Sequence, residues 1–125
     1  MNEQELNALT ERIIGCAFKA SNTLGVGFLE KVYENVLVHE LRKNGLFAEP
    51  QKQIDVVYDG VVVGEFFADV LVNDAVILEL KATKDHNELF TAQCLNYLKA
   101  TGKPVCLLLN FGKPRLDIKR YRGPN

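Results

Sequence analysis

The chain has 125 residues, enough for one domain around a single core, and its 47% hydrophobic and 25% charged content is that of an ordinary globular protein. No apolar run is long enough to span a bilayer, and the acidic start Met1-Asn2-Glu3-Gln4-Glu5 is not a signal peptide, so no membrane partner is expected. The net charge of −1 hides an asymmetry: residues 1–98 carry 8 Lys and Arg against 15 Asp and Glu, whereas residues 99–125 carry 7 basic residues against Asp117 alone.

In chain order, Asn2 and Glu5 have the spacing of a capping box, and Leu6, Leu9, Ile13, Ala17 and Ala20 then recur at helical intervals. This predicts a helix over about Glu3 to Thr23, broken by Gly25-Val26-Gly27. A second helix is expected from about Leu29 to Asn44, with Leu29, Val32, Tyr33, Val36, Leu37 and Leu41 as its apolar stripe and Gly45 as its stop. Glu30 lies at the edge of that stripe, either solvated or reaching toward a sheet. Gln51 to Tyr58 reads as a strand, and Asp59-Gly60 is a two-residue hairpin signal. Val61 to Phe66 returns and runs into Phe67 to Val72, as one bent strand or two. Beyond Lys81 a polar loop leads to Asn87, which can cap a helix over about Glu88 to Ala100 with Leu89, Ala92, Leu95 and Leu98 on its apolar side. Gln93 and Tyr97 are four apart and share a face. Val105 to Asn110 is a buried strand and Leu116 to Tyr121 a last one. The order is helix, helix, three strands, helix, two strands, which predicts an α/β fold with a mixed sheet flanked by helices. Cys16, Cys94 and Cys106 have no paired spacing and read as small buried hydrophobes in a reducing cytoplasm. His39 and His86 lack ligand spacing and read as surface residues.

The stretch from Phe67 to Lys81 carries the chemistry. It is apolar and strand-like, yet it holds Asp69, Glu79 and Lys81, and charge in a buried strand is costly unless paired or bound to a metal. A two-residue turn at Asn73-Asp74 pairs Val72 with Ala75 and sends Asp69 and Glu79 to opposite faces. A three-residue turn, Asn73 to Ala75, pairs Val72 with Val76 and brings Asp69 and Glu79 opposite one another, roughly 5 Å apart on one face with Lys81. The three-residue turn, or an equivalent bulge, is the expected one, because Asn or Asp accepts the left-handed position it needs. Two facing carboxylates then either hold a hard divalent cation or make a polar sheet edge with an internal Glu/Lys pair.

Taken together, these residues resemble the PD-(D/E)XK nuclease superfamily and, more narrowly, its small GxxExxY branch. Gly27-Phe28-Leu29-Glu30-Lys31-Val32-Tyr33 matches that signature, Asp69 matches the metal-binding aspartate, Glu79-Leu80-Lys81 matches the ExK element, and Gln93 to Tyr97 matches the QxxxY element. Ala68 stands where the superfamily often has Pro. The resemblance covers about Leu24 to Arg120. It implies a restriction-endonuclease-like sheet and a metal-dependent phosphodiesterase acting on nucleic acid, DNA before RNA. It implies Mg²⁺ or Mn²⁺ held by Asp69, Glu79 and the Leu80 carbonyl, with Glu30 holding a metal water or a second ion. Lys81 would orient the attacking water, Gln93 would position Lys81 or a phosphate, and Tyr97 would pack beneath the site or touch the nucleic-acid backbone. Lys113, Arg115, Lys119 and Arg120 are candidate phosphate contacts. The competing reading is a nuclease-fold module that binds nucleic acid or a protein with little turnover, alone, as a homo-oligomer or in a larger assembly.

Overall fold

A computed structural model describes residues 1–123. The elements follow the expected order: α1 (Glu3–Leu24), α2 (Glu30–Lys43), β1 (Ala48–Tyr58), β2 (Val61–Val72), β3 (Val76–Lys81), α3 (Glu88–Thr101), β4 (Val105–Asn110) and β5 (Asp117–Arg122). The five strands form one sheet in sequence order. All neighbours are antiparallel except β3 and β4, which the α3 crossover makes parallel. No helix among the described residues is long and apolar enough to cross a membrane.

The helices sandwich the sheet. α1 and α2 bury Leu6, Leu9, Ile13, Ala17, Ala20, Tyr33, Leu37 and Leu41 against Val70, Val72, Leu78, Leu80, Leu107 and Leu109. α3 covers the opposite face, packing Cys94, Tyr97 and Leu98 against Leu71, Ile77, Cys106 and Leu108. The capping box is formed, with Glu5 N donating to Asn2 Oδ1 at 2.8 Å and Asn2 N to Glu5 Oε1 at 3.1 Å. All three cysteines are buried free thiols.

Two apolar stripes differ from expectation. Leu29 is the N-cap of α2 and is 80% exposed. On α3, Leu89 (73% exposed), Ala92 and Leu95 face outward, and only Leu98 of the expected four is buried. The helix is rotated so that the smaller Cys94 and the aromatic Tyr97 meet the sheet; Leu89, Ala92, Leu95 and Leu98 follow an equally regular spacing, so periodicity alone favours the wrong face.

The ribbon formed by β1 and β2 turns over along its length. At one end, Ala48, Val70 and Val72 belong to the core under α1 and α2. Further out, Ile54 and Ala68 belong to the core under α3, although all five positions are even-numbered. Strand alternation forbids this unless the ribbon rotates between them. The rotation falls where the ladder passes from Pro50↔Val70 to Lys52↔Ala68, leaving Gln51 and Asp69 unpaired between. Gln51 has a φ of 51°, a left-handed value that a residue with a side chain rarely adopts.

β3 and β4 end on a side-chain link. Buried Asn110 accepts from Thr83 N (3.1 Å) and Gly112 N (2.9 Å), and its Nδ2 donates to Thr83 Oγ1 (3.3 Å). Gly112 approaches so closely that an added Cβ would lie 2.3 Å from the Thr83 carbonyl oxygen. The loop after Lys81 is therefore fixed by Asn110. Asn110→Ala should destabilise the fold by ~1–3 kcal/mol, because partly buried N–H donors lose a buried acceptor. Urea unfolding checks this; an unchanged midpoint would show that water satisfies Thr83 and Gly112 equally well.

Candidate active site

β2 and β3 pair at Val72↔Val76, Leu71↔Ile77 and Val70↔Leu78, the register of the three-residue turn. Both Asn73 (φ 50°) and Asp74 (φ 54°) are left-handed, and Ala75 N closes the turn onto Val72 O at 3.0 Å. The ladder stops one residue short of Asp69 and Glu79. Beyond it, side chains link the strands: Leu80 N donates to Asp69 Oδ2 (2.7 Å) and Asp69 N donates to Glu79 Oε1 (3.2 Å). Each carboxylate thus bonds the main chain of the opposite strand. The two acids share a fork in the sheet.

This fork is poor in compensating charge. Glu79 is 2% exposed and Asp69 is half-buried. Burial, and then the Asp69 charge, push the Glu79 carboxyl up to about 9, against the Asp69 N–H bond and Lys81. Burial also raises Asp69. The Leu80 N–H bond opposes that shift, the charges of Glu34 and Glu30 add to it, and Lys81 offsets part of it.

Glu30, Lys81 and Tyr97 lie within electrostatic range of the two acids, and Gln93 joins them only through its bond to Tyr97. Glu30 is exposed in the first turn of α2, near enough for its charge to act on Asp69. Lys81 is on the α3 side, its Nζ 4.6 Å above the Phe90 ring centroid. Gln93 Nε2 donates to the Tyr97 hydroxyl at 2.9 Å. Tyr97 is buried, and burial together with the Glu79 charge pushes it to about 12 despite the Gln93 bond. Gln93 and Tyr97 also line a groove of about 580 Å³ between α3 and the outer β1–β2 hairpin, with Val57, Phe66 and Leu89.

The basic residues are dispersed. Lys113 and Arg115 lie in the loop between β4 and β5, beside the end of β4 that pairs with Lys81; Lys113 is 3.8 Å from Asp117. Lys119 pairs with Leu108, which is level with Glu79. Arg120 is turned to α1, donating to Asn7 Oδ1 at 2.9 Å and lying 3.9 Å from Glu3. His39 is exposed, while His86 is half-buried and 3.3 Å from Thr91 Oγ1.

Sequence reasoning missed Glu34, a carboxylate only 4% exposed. It accepts from Lys31 Nζ (2.6 Å) and Gln51 Nε2 (2.7 Å). Its spacing of four from Glu30 was a usable signal, because it puts both acids on one face of α2.

The donor set fits a hard divalent cation. Among the described residues no three His, Cys, Asp or Glu side chains form a ready-made metal cage. Two carboxylates at a fork, each already bonded once, instead suit an ion such as Mg²⁺ that keeps several waters. The same electrostatics set a pH response. Without metal the folded state retains the Glu79 proton from its ordinary value of 4.5 up to about 9, so the fold binds more protons than the unfolded chain in that window. Stability should therefore fall as pH rises through it and level off above. Melting temperatures in EDTA between about pH 5 and 9 test this, with Glu79→Gln flattening the fall. An identical slope in Glu79→Gln would assign the response to other groups.

A family model described as the PD-(D/E)XK nuclease superfamily matches residues 7–121. Among solved structures, the fold is shared with the crystal structure of SSO0001, with a TM-score of 0.58 and 17% identity over 77% of this chain and 51% of that one. It is also shared with an alkaline exonuclease (LHK-Exo) from Laribacter hongkongensis, with a TM-score of 0.51 and 12% identity over 86% of this chain and 76% of that one. The chain spans about half the length of the SSO0001 protein (51%). No curated protein sequence matches it. With nearly the whole chain matched and the two acids brought to one fork, this chain belongs to the PD-(D/E)XK nuclease superfamily.

Proposed function

We propose that the protein is a Mg²⁺- or Mn²⁺-dependent phosphodiesterase of the GxxExxY branch that hydrolyses nucleic acid, DNA before RNA. The observation that supports this most directly is the fork, where Asp69 and Glu79 are withdrawn from water beside each other and bond each other's strands. Asp69, Glu79 and the Leu80 carbonyl would hold the ion, with Glu30 bonding one of its waters. When bound, a hard cation supplies Lewis-acid polarisation of the phosphoryl group and lowers the pKa of coordinated water. Lys81 leaves its perch over Phe90 to orient the attacking water and offset charge on the phosphate. Gln93 and Tyr97, bonded to each other, form the α3 side of the site. Lys113 and Arg115 are the best placed of the basic residues to meet flanking phosphates. Lys119 is a more distant contact, and Arg120 is already engaged by α1.

Incubation with single- and double-stranded DNA and RNA, in Mg²⁺ or Mn²⁺, tests the activity. Cleavage should need the metal and fall by ~10²–10³-fold in Lys81→Ala, the usual loss when one preorganised electrostatic group is removed. Equal cleavage by Lys81→Ala and the wild type would sink the assignment. Metal binding with no cleavage would favour a binding module.

Thermal melts of Asp69→Asn test the ion site separately. The amide keeps an oxygen for Leu80 N but removes a carboxylate charge that burial disfavours, so the variant should melt no lower than wild type in EDTA. In Mg²⁺ the order should narrow or reverse, because the ion stabilises only the protein that binds it. A variant destabilised equally in both buffers, by ~1–3 kcal/mol, would mark Asp69 as purely structural.

A further inference from the structure

We propose that Gln51 and Glu34 form a positioning pair that aims the Asp69 carboxylate into the fork. The inference rests on the reading of Asp69 as a metal ligand, but its geometry is independent of that reading. Gln51 and Asp69 are the two residues left unpaired where the β1–β2 ribbon turns over. On one side of this point Val70 packs under α1 and α2; on the other, Ala68 packs under α3. Asp69 therefore sits at the pivot. In a flat strand it would share Leu71's direction, toward α3; at the pivot it bonds across to Leu80 N of the neighbouring strand instead.

Two features of Gln51 hold the pivot. Its backbone is left-handed (φ 51°), which is unfavourable for Gln and persists only where the surroundings enforce it. Its side chain is clamped to buried Glu34 at 2.7 Å, and Glu34 is anchored in turn by Lys31 at 2.6 Å. Pro50, just before it, has no N–H to extend the ladder. Glu34 thus acts through Gln51 on the angle of β2, and both residues are positioning residues rather than catalytic ones.

The test uses Gln51→Gly, Glu34→Ala and Glu34→Gln in the full chain. Glycine accepts the left-handed backbone but removes the clamp. Its melting temperature in EDTA should stay close to that of wild type, because relief of the left-handed backbone offsets the lost bond to Glu34. The Leu80 amide, bonded to Asp69, should exchange its hydrogen at least about tenfold faster than in wild type, with the Val76 and Leu78 amides as internal references. Mn²⁺ affinity, read by calorimetry, should fall by a similar factor. Glu34→Ala should speed Leu80 exchange and weaken Mn²⁺ in the same way, whereas Glu34→Gln keeps an oxygen for Gln51 Nε2 and should stay within about threefold of wild type in both. Leu80 exchange unchanged in Gln51→Gly would overturn the proposal. So would Glu34→Gln losing as much Mn²⁺ affinity as Glu34→Ala, since charge rather than the clamp would then be at work. Failure of the wild type to bind Mn²⁺ would instead overturn the metal-site reading, and the exchange measurements would still decide the pivot.

Discussion

Two carboxylates withdrawn from water where a sheet comes apart set the terms for the rest of the site. An ionised carboxylate placed in a protein interior costs several kcal/mol unless partners replace its hydration. Here each acid receives one main-chain N–H from the facing strand, and the remaining deficit falls on Glu79, whose carboxyl favours its proton into the alkaline range. Such a pair has two ways to settle: it keeps a proton, or it takes a cation. Burial makes the second outcome strong, because a low-dielectric setting magnifies attraction as well as repulsion. The cost of bringing the two acids together and the metal binding proposed for them would be two consequences of one arrangement.

Polar and aromatic contacts tie together the loops that flank the fork. In the Gly27–Tyr33 stretch, Tyr33 serves architecture. The Tyr33 hydroxyl donates to Gly25 O at 2.6 Å and accepts from Phe28 N at 3.3 Å, and its ring stacks on Phe111 at 4.8 Å. This knots the loop before α2 to the segment after β4, so that α2 starts with Glu30 near Asp69. Asn110, immediately before Phe111, fixes the loop that follows Lys81. The end of β4 and the residue after it thus tie down the two flanking loops, through an amide and through an aromatic stack.

Past the pivot the β1–β2 hairpin reaches toward α3 and leaves several large apolar side chains in solvent. Val57, Tyr58, Val61, Val62, Val63, Phe66 and Phe67 are all at least 48% exposed. Phe66 meets Tyr97 edge-on at 5.9 Å, so the hairpin closes one wall of the groove beside Gln93 and Tyr97. The turnover that orients Asp69 is therefore also what gives the site its flank.

Much of this was legible in the residues. Capping at Asn2, the break at Gly25, the Asp59-Gly60 hairpin and the three-residue turn at Asn73 are local events, governed by φ preferences and hydrogen bonds within a few residues, and sequence determines those directly. The turn fixed the register, and the register set Asp69 level with Glu79 on the neighbouring strand. What only the tertiary structure decided was which surfaces face each other. Leu89 and Leu95 lost the buried side of α3 to Cys94 and Tyr97, since helical spacing defines a stripe but not the direction from which a sheet arrives. Glu34 and Asn110 are buried polar residues whose partners, Gln51 and Thr83, lie 17 and 27 residues away. Gln51 took a left-handed backbone that its type disfavours, because packing on two opposite faces of the sheet required the ribbon to turn over at that point, and that requirement exists only once both helical layers are in place.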